Sequence, residues 1–251
     1  MIEVNRNKPY YVGNWKMNKS FSDLENFIIN VPLADCHQWI APQLIHLHSF
    51  REMTKNHGVL KVGSQNHCHE VSGAFTGETS IGQLKDLGID FTIVGHSERR
   101  QLFGESNEMV NKKVKLSLSN QLPVILCLGE TLEERESEIT FNVIEKQLKV
   151  ALQEVSSTNF ERLIIAYEPV WAIGTGKTAT PEQAQEVHAF IRSSLNELYG
   201  ESAQNTPILY GGSVKPSNVR DLMAKADIDG ALIGGASLDF DSYNDLCKNG
   251  L

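Results

Sequence analysis

The stretch Ala166-Tyr167-Glu168-Pro169-Val170-Trp171-Ala172-Ile173-Gly174-Thr175-Gly176 sets one carboxylate at the end of an apolar, β-prone run that includes Leu163, Ile164 and Ile165. Proline disfavours the helical region for the residue before it, so Glu168 is held extended at a strand tip. Beyond the proline, one large aromatic, small residues and two glycines have the composition of a lid on short hinges. A carboxylate at a strand end beneath a mobile cover suits proton abstraction. Other polar or glycine-rich tips also come after apolar runs: Gly13-Asn14-Trp15-Lys16, Gly95-His96-Ser97-Glu98-Arg99-Arg100, Gly211-Gly212-Ser213 and Gly234-Gly235. A short helix is expected to open at His96 and run through Leu102. The positive end of its dipole disfavours imidazolium and keeps the ring neutral.

Such tips need a scaffold that brings them to one face. Strand-like runs occur near Tyr10–Val12, Gln38–Ala41, Leu60–Gly63, Phe91–Val94, Val124–Leu128, Leu163–Tyr167, Pro207–Tyr210 and Gly230–Ile233. They are apolar throughout rather than alternating, as when both sheet faces are covered. Helical stretches separate them. Phe141, Ile144, Leu148, Ala151, Leu152 and Val155 fall on one face of a 3.6-residue helix. Thr180-Pro181-Glu182-Gln183 opens another with an N-cap, a proline at the first position and a closing glutamine. Ser22-x-x-Glu25 predicts a capping box for a third, and Gly58 and Gly88 stand where helix C-caps belong. Eight βα units without a compositional break predict an α/β fold. The expected form is a single (β/α)8 TIM barrel over residues 1–251, eight parallel strands ringed by helices, with the chemistry at the strands' C-terminal ends. A doubly wound open sheet is the alternative, because periodicity counts units but does not close them.

The formal net charge of -8 argues against nucleic acid or an anionic membrane surface as partner. No apolar run approaches the roughly 18 residues that span a bilayer, and the polar start around Glu3, Arg6 and Lys8 is unlike a signal peptide. Cys36, Cys68, Cys127 and Cys247 are scattered, which suggests reduced thiols in a cytoplasmic protein. Cys127 lies in an apolar run and reads as a small buried hydrophobe. His46-x-His48 and His67-Cys68-His69-Glu70 have metal-ligand residue types, but such tracts on polar loops are usually incidental, and no metal is expected.

Six segments in order resemble the triosephosphate isomerase family along essentially the whole chain. They are residues 13–18, 73–78 (Gly73-Ala74-Phe75-Thr76-Gly77-Glu78), 94–100, 166–176, 210–214 and 232–238. The resemblance implies interconversion of dihydroxyacetone phosphate and glyceraldehyde 3-phosphate through an enediolate, without a cofactor. It implies Glu168 as the base, His96 as the electrophile polarising the carbonyl, and Lys16 as the fixed cation with Asn14 holding it and a substrate oxygen. Phosphate would be held by Ser213, Gly234, Gly235 and, with the lid (169–179) down, Gly174. Burial under the closed lid would raise the basicity of Glu168. Glu98 and the arginines beside it would order Lys16 and His96. The 73–79 loop, through Thr76, would dock on a second copy, giving a homodimer.

Two other readings stay open on the residues alone. A different phosphate-binding barrel, a synthase or aldolase, would need a Schiff-base lysine, and no lysine is expected on a late strand end. A barrel kept as a scaffold without turnover would show damage at Glu168, His96 or Lys16, and all three are intact. Gln43 after Ala41-Pro42 and the tract His67-Cys68-His69 depart from the family pattern.

Overall fold

The computed structural model describes residues 3–31, 34–173 and 178–250. Its strands are β1 (Tyr10–Asn14), β2 (His37–Ala41), β3 (Leu60–Ser64), β4 (Phe91–Val94), β5 (Val124–Leu128), β6 (Leu163–Tyr167), β7 (Ile208–Tyr210) and β8 (Gly230–Ile233). Each pairs in parallel with the next, and Tyr10 pairs with both His37 of β2 and Gly230 of β8, which closes the barrel. That closure removes the open-sheet alternative.

The strands carry no polar alternation because they serve two cores. Val12, Trp39, Phe91, Ile93, Ile125, Ile164 and Leu209 form a cluster drawn almost wholly from strands, the barrel interior. Their neighbours Tyr11, Ile40, Val62, Leu126, Ile165 and Ile208 pack with helical residues such as Leu24, Phe27 and Leu148. Each fully sealed large side chain contributes roughly 1.5–3 kcal/mol.

Between the strands run α1 (Phe21–Asn30), α2 (Leu44–Thr54), α3 (Ile81–Asp86), α4 (Ser97–Phe103), α5 (Asn107–Ser119), α6 (Leu132–Glu136), α7 (Thr140–Ala151), α8 (Pro181–Tyr199), α9 (Val219–Met223) and α10 (Phe240–Asn249). Thr180 caps α8 as its sequence predicts, accepting from the Gln183 N–H while Gln183 reaches back. In α1 the cap lies two residues earlier than expected. Ser20 is the N-cap and Asp23 closes the box, accepting from the Ser20 N–H at 2.7 Å. An aspartate three residues on serves as well as the glutamate expected at Glu25. Gly88 follows the C-cap of α3 with φ of 69°, whereas Gly58 sits beyond Lys55, the C-cap of α2. No helix among the described residues is long and apolar enough to cross a membrane. Because every strand runs the same way, their C-terminal ends share one mouth.

Candidate active site

β6 ends at Tyr167, and the next residue, Glu168, keeps extended pairing through its N–H to Leu128 O (2.8 Å). Its side chain turns into the mouth and is 1% exposed. Two glycines make room for it. A Cβ at Gly129 would lie 1.7 Å from Glu168 O, and one at Gly211 would lie 2.9 Å from Glu168 Cγ. The carboxylate takes two hydrogen bonds, from His96 Nε2 (2.9 Å) and from the Ser97 N–H (2.9 Å).

His96 is the N-cap of α4, so its ring stands at that helix's N-terminus as expected. Nδ1 accepts the Glu98 N–H at 3.2 Å, which leaves Nε2 as the N–H that donates to Glu168. Burial pulls the imidazole pKa down, but the charge and hydrogen bond of Glu168, with Glu98, outweigh it and the net direction is up. For Glu168, burial raises the pKa, yet His96, the Ser97 N–H and Lys16 outweigh burial and lower it. The direction for His96 differs from the neutral ring expected at the helix N-terminus, whereas the raised Glu168 basicity was expected only under the closed lid, whose residues 174–177 lie outside the described residues. The reason is mutual: the carboxylate and the imidazole hydrogen-bond each other at 2.9 Å.

Lys16 follows β1 with φ of 49°, a left-handed backbone that side chains other than glycine adopt at a cost of about 1–3 kcal/mol. Three contacts hold it there: its N–H donates to Asn14 Oδ1 (3.1 Å), Gln65 Nε2 donates to its carbonyl (3.0 Å), and Nζ meets Glu98 Oε1 at 2.6 Å. Asn14, expected beyond the first strand, is its last residue and is buried. Asn14, Lys16, His96, Glu168, Ser213, Gly234 and Gly235 all line one cleft of about 290 Å³. Ile173, Val214 and Leu232 supply apolar wall. Gly174 and the lid tip lie outside the described residues.

Some expectations land elsewhere. Glu98 contacts both Lys16 and His96 as expected, but Arg99 pairs with Glu105, and Arg100 donates to the carbonyls of Gly95 and Cys127. Thr76 is exposed and does not line the cleft of its own chain. His67 turns inward, with Nδ1 to Cys68 O at 2.7 Å and Nε2 to Ser117 Oγ at 2.8 Å. Among the described residues no group of three or more His, Cys, Asp or Glu side chains could hold a metal ion.

Other functional neighbours were missed from sequence. Glu130, fully buried after β5, accepts from Tyr167 Oη (3.1 Å) and Trp171 Nε1 (2.9 Å), tying the turn after Glu168 to the barrel. Gly129-Glu130 after an apolar run was the same kind of tip as the others and could have been counted with them. Lys215 also lines the cleft, in the loop five residues beyond the end of β7 at Tyr210 and not on the strand end itself. It is exposed, unlike the desolvated amine that Schiff-base chemistry uses.

The sequence model of the family described as triosephosphate isomerase matches residues 9–250. The chain belongs to that family. It is 49% identical over 246 residues to the triosephosphate isomerase of Endomicrobium trichonymphae, covering 96% of this chain and 98% of the relative. It is 48% identical over 242 residues to that of Clostridium tetani, covering 94% of each chain, and 46% identical over 249 residues to that of Chloroherpeton thalassium, covering 96% and 98%. Membership of the triosephosphate isomerase family accounts for the closed barrel and for a polar cleft at its mouth.

Proposed function

We propose that the chain, one barrel domain over residues 1–251, interconverts dihydroxyacetone phosphate and D-glyceraldehyde 3-phosphate by proton transfer through an enediolate. The observation that carries this reading is the buried contact of Glu168 with His96 at 2.9 Å, in a cleft that Lys16 also lines. Glu168 is the base. It leaves its hydrogen bonds to His96 and Ser97, takes a proton from one substrate carbon and returns it to the next. As Glu168 turns to the substrate, His96 gives its freed Nε2–H to the substrate oxygen and polarises the carbonyl while the proton is taken. As the carboxylate is neutralised by the proton it takes, the larger of the two charges that raise the imidazole pKa is lost and Glu98 alone still raises it. Burial and the neighbouring Lys16 ammonium, both of which lower it, favour the neutral donor.

Lys16 supplies the local cation that a net charge of -8 otherwise denies to an anionic substrate. Asn14 fixes the Lys16 backbone and faces the same space. Ser213, Gly234 and Gly235 line the far side of the cleft, where their backbone N–H groups would take the phosphate. Residues 169–179 act as the lid, with Gly174 donating to the phosphate when it is down, so that binding energy from the non-reacting group closes the site. Glu98 holds Lys16 and His96 in place. The reaction is tested by a coupled assay on glyceraldehyde 3-phosphate without added metal or nucleotide, repeated after chelation. Undiminished turnover supports the reading, and no turnover from folded protein overturns it.

The finer assembly belongs to the same proposal. Met17 and Phe75 in loops, Ile45 at the start of α2, and Leu102 and Phe103 at the end of α4 are all exposed in the segments that follow the first four strands. That much apolar surface on one side suits a second copy, with the 73–79 loop and Thr76 reaching toward the partner's cleft. Sedimentation at micromolar concentration should give a dimer, and a monomer there would refute this part. The free thiols of all four cysteines suit the cytoplasm.

A further inference from the structure

Glu168 borders a second, smaller cavity of about 120 Å³, lined also by Ser97, Arg100, Gly129, Gln147 and Val170. A void beside a packed segment lacks the atoms that would resist its displacement, so hydrogen bonds must hold what faces it. Glu168 stands between the tips of β5 and β7. On the β7 side, the Gly211 N–H binds Tyr167 O directly at 2.7 Å. On the β5 side, Gly129 lies so close that a Cβ on it would be 1.7 Å from Glu168 O. The backbone of Gly129 is therefore the wall on which Glu168 rests. That wall stands beyond the reach of the sheet on its other side: β4 ends at Val94, whose partner on β5 is Leu126, and no rung of that ladder follows. The N–H and carbonyl groups of β5 past that point still need partners.

Two side chains supply them. Arg100 Nη2 donates to Cys127 O at 3.1 Å. Gln147 of α7 binds both backbone groups of Gly129: its Oε1 accepts the Gly129 N–H at 2.9 Å, and its Nε2 donates to Gly129 O at 3.0 Å. One planar amide thus fixes the place and the orientation of that residue together. The helix that carries it is itself held. Ile144 and Leu148, which flank Gln147 on α7, are buried in the outer core. At the end of the same helix, Asn111 of α5 donates to Ala151 O and to Gln153 O, each at 2.9 Å.

We propose that Gln147 is a positioning residue for the reaction: it holds Gly129 against the carbonyl of Glu168 and so fixes the base relative to His96, Ser97 and the substrate. The proposal rests on the reading of Glu168 as the base. Gln147 is not among the residues that line the cleft, and it acts only through Gly129. Without its amide, both backbone groups of Gly129 lose their partner, and the tip of β5 and Glu168 shift together into the cavity. A misplacement of about 1 Å costs roughly 10²-fold in rate, so the loss of kcat is on the order of ten- to a hundredfold. KM should hold, because Lys16, Ser213, Gly234 and Gly235 follow other strands, β1, β7 and β8. The pH profile should move as well. His96 and the Ser97 N–H hold the Glu168 carboxyl down against burial, which raises it. A displaced carboxylate loses part of both contacts, and the acid limb of kcat/KM moves to higher pH.

The test measures kcat and KM on glyceraldehyde 3-phosphate across the acid limb, with urea midpoints to establish folding, in the full-length wild type, Gln147→Met and Gln147→Asn. Methionine nearly keeps the volume and removes both hydrogen bonds. Asparagine keeps the amide but withdraws it by one methylene, and it serves if the methionine variant does not fold. Expected are the fall in kcat, an unchanged KM and the shift of the acid limb to higher pH. A residue needed only for folding would lower the urea midpoint while the folded protein kept wild-type kcat and pH profile, and that result overturns the proposal. A KM that rises as far as kcat falls would put Gln147 in substrate binding and equally overturn it. Absence of turnover already in the folded wild type would instead overturn the reading of Glu168 as base, and this inference with it.

Discussion

Replacing Gly211 by alanine tests how closely the position of Glu168 is fixed. The added Cβ would sit 2.9 Å from Glu168 Cγ, 3.1 Å from Tyr167 O and 3.6 Å from Glu168 Cα. Carbon atoms rest at about 3.5–4.0 Å, so the nearest pair must separate by roughly 0.6 Å or more. Tyr167 O cannot yield, because the Gly211 N–H binds it at 2.7 Å within the strand frame. The Glu168 side chain is the movable member, and its carboxylate is displaced with it. A misplacement approaching 1 Å costs about 10²-fold in rate. Gly211→Ala should therefore lower kcat by about 10²-fold in the coupled assay. KM should change little, since the cation and the phosphate-facing glycines are untouched. Overpacking should also destabilise the fold by about 1–3 kcal/mol in urea. Gly82→Ala is the control: in α3 its Cβ would meet nothing nearer than Ser80 Oγ at 3.8 Å, and both kcat and stability should hold. Wild-type kcat in folded Gly211→Ala would refute the claim that this close approach positions the base.

Glu168→Asp withdraws the carboxylate by one methylene from its 2.9 Å partners and should cut kcat by at least about 10²-fold while a phosphorylated inhibitor still binds; equal turnover would remove Glu168 from the role of base. Lys16→Met keeps the length of the stem and deletes the charge, so kcat/KM should fall by about 10²–10³-fold, and a loss below tenfold would mean that another cation serves the site. His67 and His188 are buried and each has its pKa pushed down from 6.5 to about 4 by burial. A depressed histidine contributes full stability above pH 6.5 and loses it as the unfolded chain takes up protons between 6.5 and 4, on the order of 2 kcal/mol each at pH 5. Urea midpoints should fall across that window, and less steeply in His67→Gln; identical slopes would contradict the assignment.

The barrel was legible because most strands are largely apolar on both faces, though β2 and β3 carry His37, Gln38 and Lys61, and because polar tips follow them. Periodicity also located α8, where Thr180, Pro181 and Gln183 all agree. Local signals misplaced the start of α1 because Ser20 and Ser22 both offer plausible caps, and only the folded backbone decides between them. Long-range contacts left no trace in the sequence. Gln65 reaches the Lys16 carbonyl from 49 residues away, and Glu130 meets Trp171 across 41 residues. Neither partner is marked by spacing, and the unusual backbone of Lys16 that Gln65 supports is invisible without φ. Arg99 and Arg100 show the converse failure. Adjacency to His96 suggested a role at the cleft, but the turn of α4 carries both side chains to other partners.

The polar groups of the cleft satisfy one another, and under the proposed mechanism a substrate has to compete with those contacts. Glu168 and His96 hold each other at 2.9 Å, and the Ser97 N–H holds the other carboxylate oxygen. In that state the carboxyl pKa is depressed, which weakens it as a base, and the imidazole pKa is raised, which weakens its case for acting as a neutral donor. Each shift has the other residue as its leading favourable cause, so one event undoes both. A substrate oxygen that took the Nε2–H of His96 would remove the largest of the contacts that oppose desolvation at Glu168, leaving the Ser97 N–H and Lys16. On the proposed mechanism the base would be strengthened only when there is something to deprotonate, because burial, which raises the carboxyl pKa, is offset by the imidazole it faces until substrate competes for that imidazole.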